Sequence, residues 1–389
     1  MRIKKISLSL ICVMLFVLFI TSIVSAQVEE FLDSDIPDSW YKAPQTASEL
    51  GITEFNQSPL LDEKVKNGEI PPVEERLPAD PPVIEPFEEI GEYGGTVTIW
   101  DTGFDQWNLN FRYWHHFSGG RPTPDGKVVP YYFSGWEYSK DYKELTINLR
   151  KGLKWSHGVE LTSDDYIWWW ENYANNEILS PTPPEDWAPS LINVTKEGKY
   201  KVTFHYAKPV PNRYLTFNAT MGIHQLAPRE FMKQFHPNFT DQEKLTELAE
   251  SVGLDTWDEY YDRVQDTSNF HPEYKHRRPT IRPYIPVKRT ETTFILERNP
   301  YYPFVDSEGN QLPYIDRIRI NLANSEEMAS TKAATGEATF GHWYLKTSDI
   351  PLYKKNEANE NFSTFIYQKS GGNEPFIKLN LSTENEKLK

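Results

Sequence analysis

Apolar and polar residues alternate with a period of two along several short stretches of the chain, a pattern typical of half-buried β-strands. The clearest stretch is residues 144–149, where Leu145, Ile147 and Leu149 alternate with polar neighbours. Two or three strands are predicted within residues 129–150. Single strands are predicted over residues 96–100, 200–206, 217–221, 292–297, 314–322, 364–367 and 376–381.

Helical periodicity separates these strands. Residues 164–176 place four large aromatic side chains on one face at helical spacing, namely Tyr166, Trp169, Trp170 and Tyr173. Such a stripe is typical of a helix packed on a core rather than of a ligand site. Thr162 lies three residues before Asp165, which indicates a capped helix start. Further helices are predicted over residues 229–235, 242–252 and 325–335, whereas residues 255–280 are predicted to be irregular. The pattern as a whole favours a mixed α/β fold.

Residues 27–93 form a proline-rich segment, called the leader below. Pro71-Pro72 and Pro81-Pro82 favour extended backbone and exclude a long helix here. Weak helical character is confined to residues 48–67. By itself this composition is typical of a linker.

The first residues have the organisation of a secretory signal. Three basic residues precede an apolar run over residues 6–23, and small residues lead to a predicted cleavage between Ala26 and Gln27. The alternative is an uncleaved membrane anchor, because the apolar run is long. Cys12 follows Ile11 rather than a small residue, so no lipid anchor is expected there.

The net charge and the cysteine content narrow the class of protein further. A net charge of −15 over 389 residues argues against nucleic acid and anionic membrane surfaces as partners. Cys12 is the sole cysteine, so the chain after the signal can form neither a disulfide nor a cysteine-ligated metal site. An exported chain without disulfides depends on a large core, and this length predicts more than one domain.

No group of residues predicts catalysis, a metal or a cofactor. His115 and His116 are adjacent, so on a strand they would point to opposite faces. Residues 306–310 lack the ligand ladder of a calcium loop and are predicted to form a turn. Asp164-Asp165 is expected to cap a helix, and Glu74-Glu75 is expected to face solvent in the leader. Sequence motifs of phosphate loops, zinc proteases and serine hydrolases are missing from the chain.

Several longer motifs occur in one order along the chain. They are PPVEERLPADPPVIEP and IGEYGGTV between residues 71 and 97, LRKGLKW at 149–155 with LTSDD at 161–165, HQLAPREFMKQFHPNF at 224–239, ILERNPYYPFVDSEGNQLPYIDRIRI at 295–320, and GEATFG at 336–341. Together they resemble the extracytoplasmic solute-binding proteins of ABC importers. The likeness is to the large oligopeptide/dipeptide-binding family, known as family 5.

The resemblance implies a two-lobed, periplasmic-binding-protein-like α/β fold with an extra small lobe and ligand held between the large lobes. Residues 1–26 would be the signal peptide and 27–93 the leader. Residues 94–345 would form the first large lobe, with the small lobe inserted at about 115–190. Residues 346–389 would begin the second large lobe. Chains of the family continue well beyond this point, so the resemblance implies a chain truncated at its C-terminus, with the second large lobe mostly missing.

Six residues that follow predicted strands are candidates for the ligand cleft. They are Trp107, Asn108, Trp114, His224, His342 and Trp343. Aromatic side chains commonly line ligand sites, although each of the six could instead be ordinary packing. In peptide-binding relatives an acidic residue meets the amino terminus of the peptide, and the resemblance implies that this residue belongs to the missing part of the second large lobe.

The resemblance implies an exported, monomeric solute-binding protein that captures oligopeptides and delivers them to an ABC permease in the membrane. It would not be an enzyme and would need no cofactor. The first alternative keeps the fold and replaces the peptide by an oligosaccharide, because tryptophan stacks well on sugar rings. A secreted carbohydrate-active enzyme is a second alternative and requires two carboxylates about 5–10 Å apart in a cleft. A surface receptor that senses a solute without transport is a third.

Overall fold

Two four-stranded sheets organise the part of the chain that the structure describes. The structure is a computed structural model, and it describes residues 38–103, 119–181, 191–210, 226–265, 278–341 and 344–365. All but the last three of these residues belong to one compact unit, Pro37–Phe362. The mixed α/β class predicted from the sequence is confirmed within this unit.

The first sheet joins distant parts of the sequence. Its strands are β1 (Gly94–Asp101), β8 (Tyr284–Arg289), β9 (Thr293–Arg298) and β10 (Ile315–Leu322), in the spatial order β1-β10-β9-β8. β1 and β10 are parallel, and the other pairs are antiparallel. Alternate residues such as Ile99, Phe294 and Ile318 point into one small core, as the period-two pattern predicts.

The second sheet and a small hairpin lie between β1 and β8 in the sequence. The hairpin pairs β2 (Gly120–Pro122) with β3 (Val128–Pro130). The sheet contains β4 (Phe133–Tyr138), β5 (Glu144–Leu149), β6 (Leu191–Glu197) and β7 (Lys201–Tyr206), in the antiparallel order β4-β5-β7-β6. It therefore extends beyond residue 190, where the sequence placed the end of the small lobe. The domain boundaries themselves stay predictions.

Nine α-helices occur within the described residues. They are α1 (Ala47–Leu50), α2 (Asp62–Lys66), α3 (Val73–Arg76), α4 (Ser163–Trp169), α5 (Arg229–Met232), α6 (Gln242–Glu250), α7 (Trp257–Gln265), α8 (Glu326–Ala334) and α9 (Ile350–Glu360). One π-helical turn, Trp170–Ala174, continues α4. Tyr166 and Trp169 on α4 are buried in the core of the second sheet, so the packing role predicted for the aromatic stripe is confirmed for these two residues.

Residues 255–280 were predicted to be irregular, and this is wrong for their first half. α7 occupies Trp257–Gln265, and it buries Tyr260, Tyr261 and Val264. These three residues follow Trp257 at positions i+3, i+4 and i+7, so the helical pattern is present in the sequence. The acidic residues between these apolar positions make the segment polar on average, so its average polarity does not reveal the helix. Residues 364–365 lie in no strand, contrary to the strand predicted at 364–367, and the remainder of that stretch and residues 376–381 lie outside the described part.

The leader is bound to the first sheet rather than free. Its backbone pairs with residues far along the chain, for example through the Ile84 amide, which donates to the Val305 carbonyl at 2.8 Å. α1, α2 and α3 account for its short helical pieces. Val73, Leu77 and Val83 form a small buried cluster with Val305. The proline-rich composition gives extended backbone, and tertiary hydrogen bonds fix that backbone on the fold.

Buried polar groups connect the leader to the segment between β9 and β10. The Arg76 guanidinium donates to Gln311 Oε1 at 3.1 Å, and Gln311 Nε2 donates to the Pro300 and Tyr302 carbonyls at 2.9 Å. Arg298 in turn donates to the Gln311 carbonyl at 2.9 Å and pairs with Asp316 at 3.2 Å. These contacts explain why the ERNP and GNQLPYID motifs act as scaffold.

Candidate functional site

None of the ligand-site candidates predicted from the sequence lies in the described part of the chain. Trp107, Asn108 and Trp114 fall in the gap at 104–118, His224 in the gap at 211–225, and His342 with Trp343 between Gly341 and Tyr344. The predicted cleavage site at Ala26 and Gln27 also lies outside it. The residues that flank these gaps are described, and they show where each candidate segment leaves the framework.

The candidate segment 104–118 begins just after the end of β1. β1 runs parallel to β10, and their carboxyl ends lie at Asp101 and Leu322. The Ala323 amide donates to the Asp101 carbonyl at 2.7 Å and extends the pairing beyond the strands. In open α/β sheets, ligands bind beyond the carboxyl ends of parallel strands. Thr102 and Gly103 therefore lead the chain from the strand into the expected position of a ligand.

Tyr344 ties the end of the second candidate segment to the same place. Its hydroxyl lies 2.9 Å from Thr102 Oγ1, and it also donates to Asp101 Oδ1 at 3.3 Å. Asp101 is only 1% exposed, so its carboxylate is a fixed acceptor at this edge. A tyrosine hydroxyl is protonated at neutral pH, and burial raises the pKa of Tyr344 further, so this hydroxyl acts as a donor here. Thr102, near the start of the segment that carries Trp107, is thus hydrogen-bonded to Tyr344, which directly follows Trp343.

The approach to His342 follows the outer edge of β1. The Thr98 amide donates to Thr339 Oγ1 at 2.6 Å, and the Thr339 amide donates back to the Thr98 carbonyl at 3.0 Å. The Trp100 indole also donates to the Glu337 carbonyl at 3.3 Å. These bonds occupy backbone groups that an edge strand would otherwise expose.

The segment that carries His224 starts elsewhere. The Val210 amide before it donates to the Tyr142 carbonyl at 2.8 Å, beside the second sheet. Leu226 after it accepts a hydrogen bond from Arg278 at 2.8 Å and packs in the same large core. Described residues next to the segments of Trp107 and Trp343 therefore lie close together. Those next to the segment of His224 lie beside the second sheet.

Sequence reasoning missed Asp101 and Tyr344 as parts of this site. The predicted strand ended at residue 100, so an acidic residue at its carboxyl end was the available signal for Asp101. Tyr344 adopts a left-handed backbone conformation with φ of 62°. Such a conformation is uncommon for a tyrosine and cannot be predicted from its neighbours, although it often marks functional sites.

The carboxylate pairs considered for catalysis have structural partners. The Thr162 amide donates to Asp165 Oδ2 at 2.8 Å, completing the predicted capping box, and Asp164 forms ion pairs with Lys196 and Arg229. Glu74 and Glu75 are exposed in the leader, as predicted.

Metal ligation finds no support in the described part of the chain. It contains no group of three or more histidine, cysteine or acidic residues placed to hold a metal ion. The predicted turn at 306–310 is confirmed, because the Asp306 carboxylate accepts from the Glu308 and Asn310 amides at 2.8 and 2.9 Å. His115 and His116 lie outside the described residues.

Asp165 is expected to make stability fall as pH rises from about 4 to about 6. Burial raises its pKa from 3.8 to about 6, so the folded protein keeps a proton that the unfolded chain releases. The two-unit difference corresponds to about 3 kcal/mol, present below pH 4 and lost by pH 6 to 7. We expect this decrease, measured by urea unfolding across pH 4–7, to be missing in Asp165→Asn.

Asp164→Asn provides a control of opposite sign. Hydrogen bonds and charge from Lys196 and then Arg229 lower the pKa of the Asp164 carboxyl, with burial acting against them. Asp164 therefore contributes stability above the ordinary carboxyl pKa, and this contribution is lost as pH falls. If Asp165→Asn retains the full wild-type decrease between pH 4 and 6, the account of Asp165 is wrong.

The fold and these motifs define a class of proteins. Residues 127–389 match the model of the bacterial extracellular solute-binding proteins, family 5, middle part, and the chain belongs to this family. The expected periplasmic-binding-protein fold and the resemblance are thereby confirmed. No helix in the described residues has both the length and the apolar character needed to cross a bilayer.

Individual relatives differ in the solute that their names give. A periplasmic α-galactoside-binding protein of Rhizobium meliloti is 27% identical over 297 residues, which are 70% of this chain and 40% of the relative. The periplasmic oligopeptide-binding protein OppA of Salmonella typhimurium is 23% identical over 266 residues, covering 67% of this chain and 44% of that protein. Both relatives are solute-binding proteins and periplasmic by name.

Solved structures that are similar to this chain also differ in the solute that their titles name. An oligopeptide-binding protein OppA superimposes with a TM-score of 0.72 at 31% identity, covering 84% of this chain and 51% of its own. The binding protein MelB of Agrobacterium fabrum C58, solved in complex with stachyose, gives a TM-score of 0.62 at 25% identity and covers 79% and 46%. This chain thus spans about half the length of the relatives and structures that it matches.

Proposed function

We propose that this chain is the solute-capturing component of an ABC importer and that its solute is an oligopeptide. The observation that carries the proposal is the arrangement at the carboxyl end of β1. There Asp101, Thr102 and Tyr344 hold the start of the segment that carries Trp107 next to the end of the segment that carries Trp343. The likeness to an oligopeptide-binding OppA at 31% identity supports a peptide as the solute.

In this proposal, Trp107, Asn108, Trp114, His224, His342 and Trp343 contact the solute. Peptide backbone is recognised by main-chain hydrogen bonds, and varied side chains are accepted in roomy, hydrated pockets. The protein is exported by residues 1–26, acts as a monomer outside the cytoplasmic membrane and delivers its solute to a membrane permease. Residues 94–345 are the first large lobe and residues 346–389 belong to the second. The chain carries out no chemistry on its solute.

A second candidate solute is an oligosaccharide, specifically an α-galactoside. It is favoured by the relative named for α-galactoside binding and by the likeness to a structure that contains stachyose. Tryptophan side chains stack on the apolar faces of sugar rings as readily as on peptide side chains. Both candidates share the fold and the importer role and differ only in what occupies the cleft.

Thermal unfolding with two ligand pools tests the proposal. A ligand that binds only the folded state raises the melting temperature, by an amount equivalent to about 2.7 kcal/mol at one hundred times its Kd. We expect mixed oligopeptides to raise it, and Trp107→Ala and Trp343→Ala to weaken peptide binding about tenfold each, as for aromatic anchors of a ligand site. Ile192→Ala is the control, because this exposed residue lies on β6.

The outcomes separate the candidates. A shift with stachyose and not with peptides replaces the peptide by an α-galactoside and keeps the importer role. Binding that is unchanged in both tryptophan variants rejects the proposed contacts. A cooperative melt that neither pool moves rejects both solutes.

A further inference from the structure

A cavity of about 680 Å³ lies between the leader and the β2–β3 hairpin, and no residue from the carboxyl end of β1 lines it. This volume falls within the range of roughly 300–1,000 Å³ that is typical of sites for small organic molecules. Trp40, Leu50, Val83 and Ile84 supply its apolar lining, and Arg121 at the start of the hairpin lies in its wall. Ser307 is the one lining residue within the range that the family model matches, and none of the six candidates for the solute cleft belongs to the lining.

Backbone hydrogen bonds build the walls of the cavity. The Val83 amide donates to the Gln45 carbonyl at 2.8 Å, and the Ile84 amide donates to the Val305 carbonyl at 2.8 Å. The indole of Trp40 is held from two sides, by its hydrogen bond to the Glu85 carbonyl at 3.2 Å and by the edge of the Phe87 ring at 5.5 Å between centroids. The cavity therefore belongs to the fixed part of the leader.

Arg121 is a half-buried cation without a counter-charge. Its Nη2 donates only to backbone carbonyls, those of Trp40 at 3.2 Å and Lys42 at 3.0 Å, with Ser39 at 3.5 Å. Within the described residues no carboxylate pairs with it, and burial lowers the pKa of its guanidinium. A charge removed from water without a partner is costly, so the place favours an anion that supplies the missing charge.

Unsatisfied donors accompany this charge. Arg121 Nε and the Ser39 hydroxyl are buried and have no hydrogen-bond partner within the described residues. Lys42 adds a second cation to the lining, against the single carboxylate of Glu85. The lining is thus positive in a chain whose net charge is −15. A carboxylate is the anion that matches a guanidinium without a counter-charge.

We propose that this cavity binds a small organic carboxylate with a flat, apolar body, at a site separate from the solute cleft. The carboxylate pairs with the Arg121 guanidinium. The body lies against Trp40, whose ring already carries the Arg121 guanidinium at 5.4 Å from its centroid.

Calorimetric titration of the full chain with indole-3-acetate tests the site, and indole-3-ethanol serves as the neutral ligand of the same shape. The expected result is saturable binding of the carboxylate, at least tenfold tighter than that of the alcohol. Arg121→Gln is expected to weaken binding at least tenfold, and Arg121→Lys to weaken it less. A saturating ligand of the solute cleft is expected to leave binding unchanged.

A second variant, Ser307→Trp, tests the proposal without changing Arg121 and is used if the Arg121 variants fold poorly. Ser307 is an exposed part of the cavity lining, so a large side chain there fills the cavity while the contacts of Arg121 remain. This variant is expected to abolish binding without lowering the melting temperature. Lack of binding by wild type, equal affinity for the acid and the alcohol, or unchanged binding in Ser307→Trp would each overturn the proposal. Displacement by a cleft ligand would also overturn it.

Discussion

Replacing Arg76 by methionine is expected to lower the free energy of unfolding by about 2–4 kcal/mol, because acceptors buried around it lose a charged donor at about 1–3 kcal/mol each. Arg76 is fully buried, with 0% of its surface exposed. It donates to the Pro71 and Pro300 carbonyls and to the side-chain oxygens of Gln57 and Gln311. Methionine fills similar space and donates no hydrogen bond, so the buried Gln311 Oε1 loses its charged donor and the Pro300 carbonyl keeps only the bond from Gln311 Nε2.

Urea unfolding of the full chain measures this loss, and Arg319→Met is the matched control. Arg319 lies exposed on β10, so its replacement is expected to change stability by no more than about 0.5 kcal/mol. Because Arg76 connects the leader to the segment between β9 and β10, limited proteolysis should also cut Arg76→Met within the leader. Equal stability of the two methionine variants would show that the hydrogen bonds of Arg76 contribute little to the stability of the fold.

Replacing Gly309 by alanine is the second substitution with a large expected effect. Gly309 has a φ of +81°, and a Cβ there would overlap the Glu54 carbonyl oxygen and approach Ile52 Cγ2 at 3.1 Å. The Gly309 carbonyl also accepts from the Asn56 amide at 3.0 Å, which draws the leader onto this turn. We expect a loss of about 3–5 kcal/mol, because left-handed strain of about 1–2 kcal/mol is added to an overlap with backbone.

Gly198→Ala isolates the overlap from the strain. Gly198 lies in the turn between β6 and β7 with a φ of +62°, and a Cβ there would meet nothing within 4 Å. Its replacement is expected to cost only the left-handed strain, about 1–2 kcal/mol. The same loss in both alanine variants, measured by urea unfolding, would contradict the close approach of the leader to Gly309.

The sequence predicts local structure well where local chemistry decides it. Thr162 and Asp165 form the capping box that their spacing predicts, and strands β5, β7 and β10 follow the period-two pattern. The prediction for α7 was wrong, because the average polarity of its segment was given more weight than the apolar spacing within it. The fold and the family could be predicted because the motifs of the family occur in a fixed order that can be read directly in the sequence.

Contacts between distant segments could not be predicted in the same way. Arg76 follows two glutamates in a proline-rich stretch, and nothing nearby indicates that it is fully buried against Gln311. The same holds for Tyr344, whose hydroxyl meets residues more than 200 positions earlier. The candidate site therefore appears in the sequence as three separate aromatic segments. Only the fold shows that one of them starts shortly after Thr102 and that Tyr344, at the end of another, contacts Asp101 and Thr102.

Native mass spectrometry of the full chain with a mixed oligopeptide library tests the central claim most directly, because it weighs the complex itself. The account predicts a one-to-one complex with a short peptide, which is lost in Trp107→Ala/Trp343→Ala and retained in Ile192→Ala. The contradicting result is a folded chain that carries neither a peptide nor, in a parallel experiment, an α-galactoside.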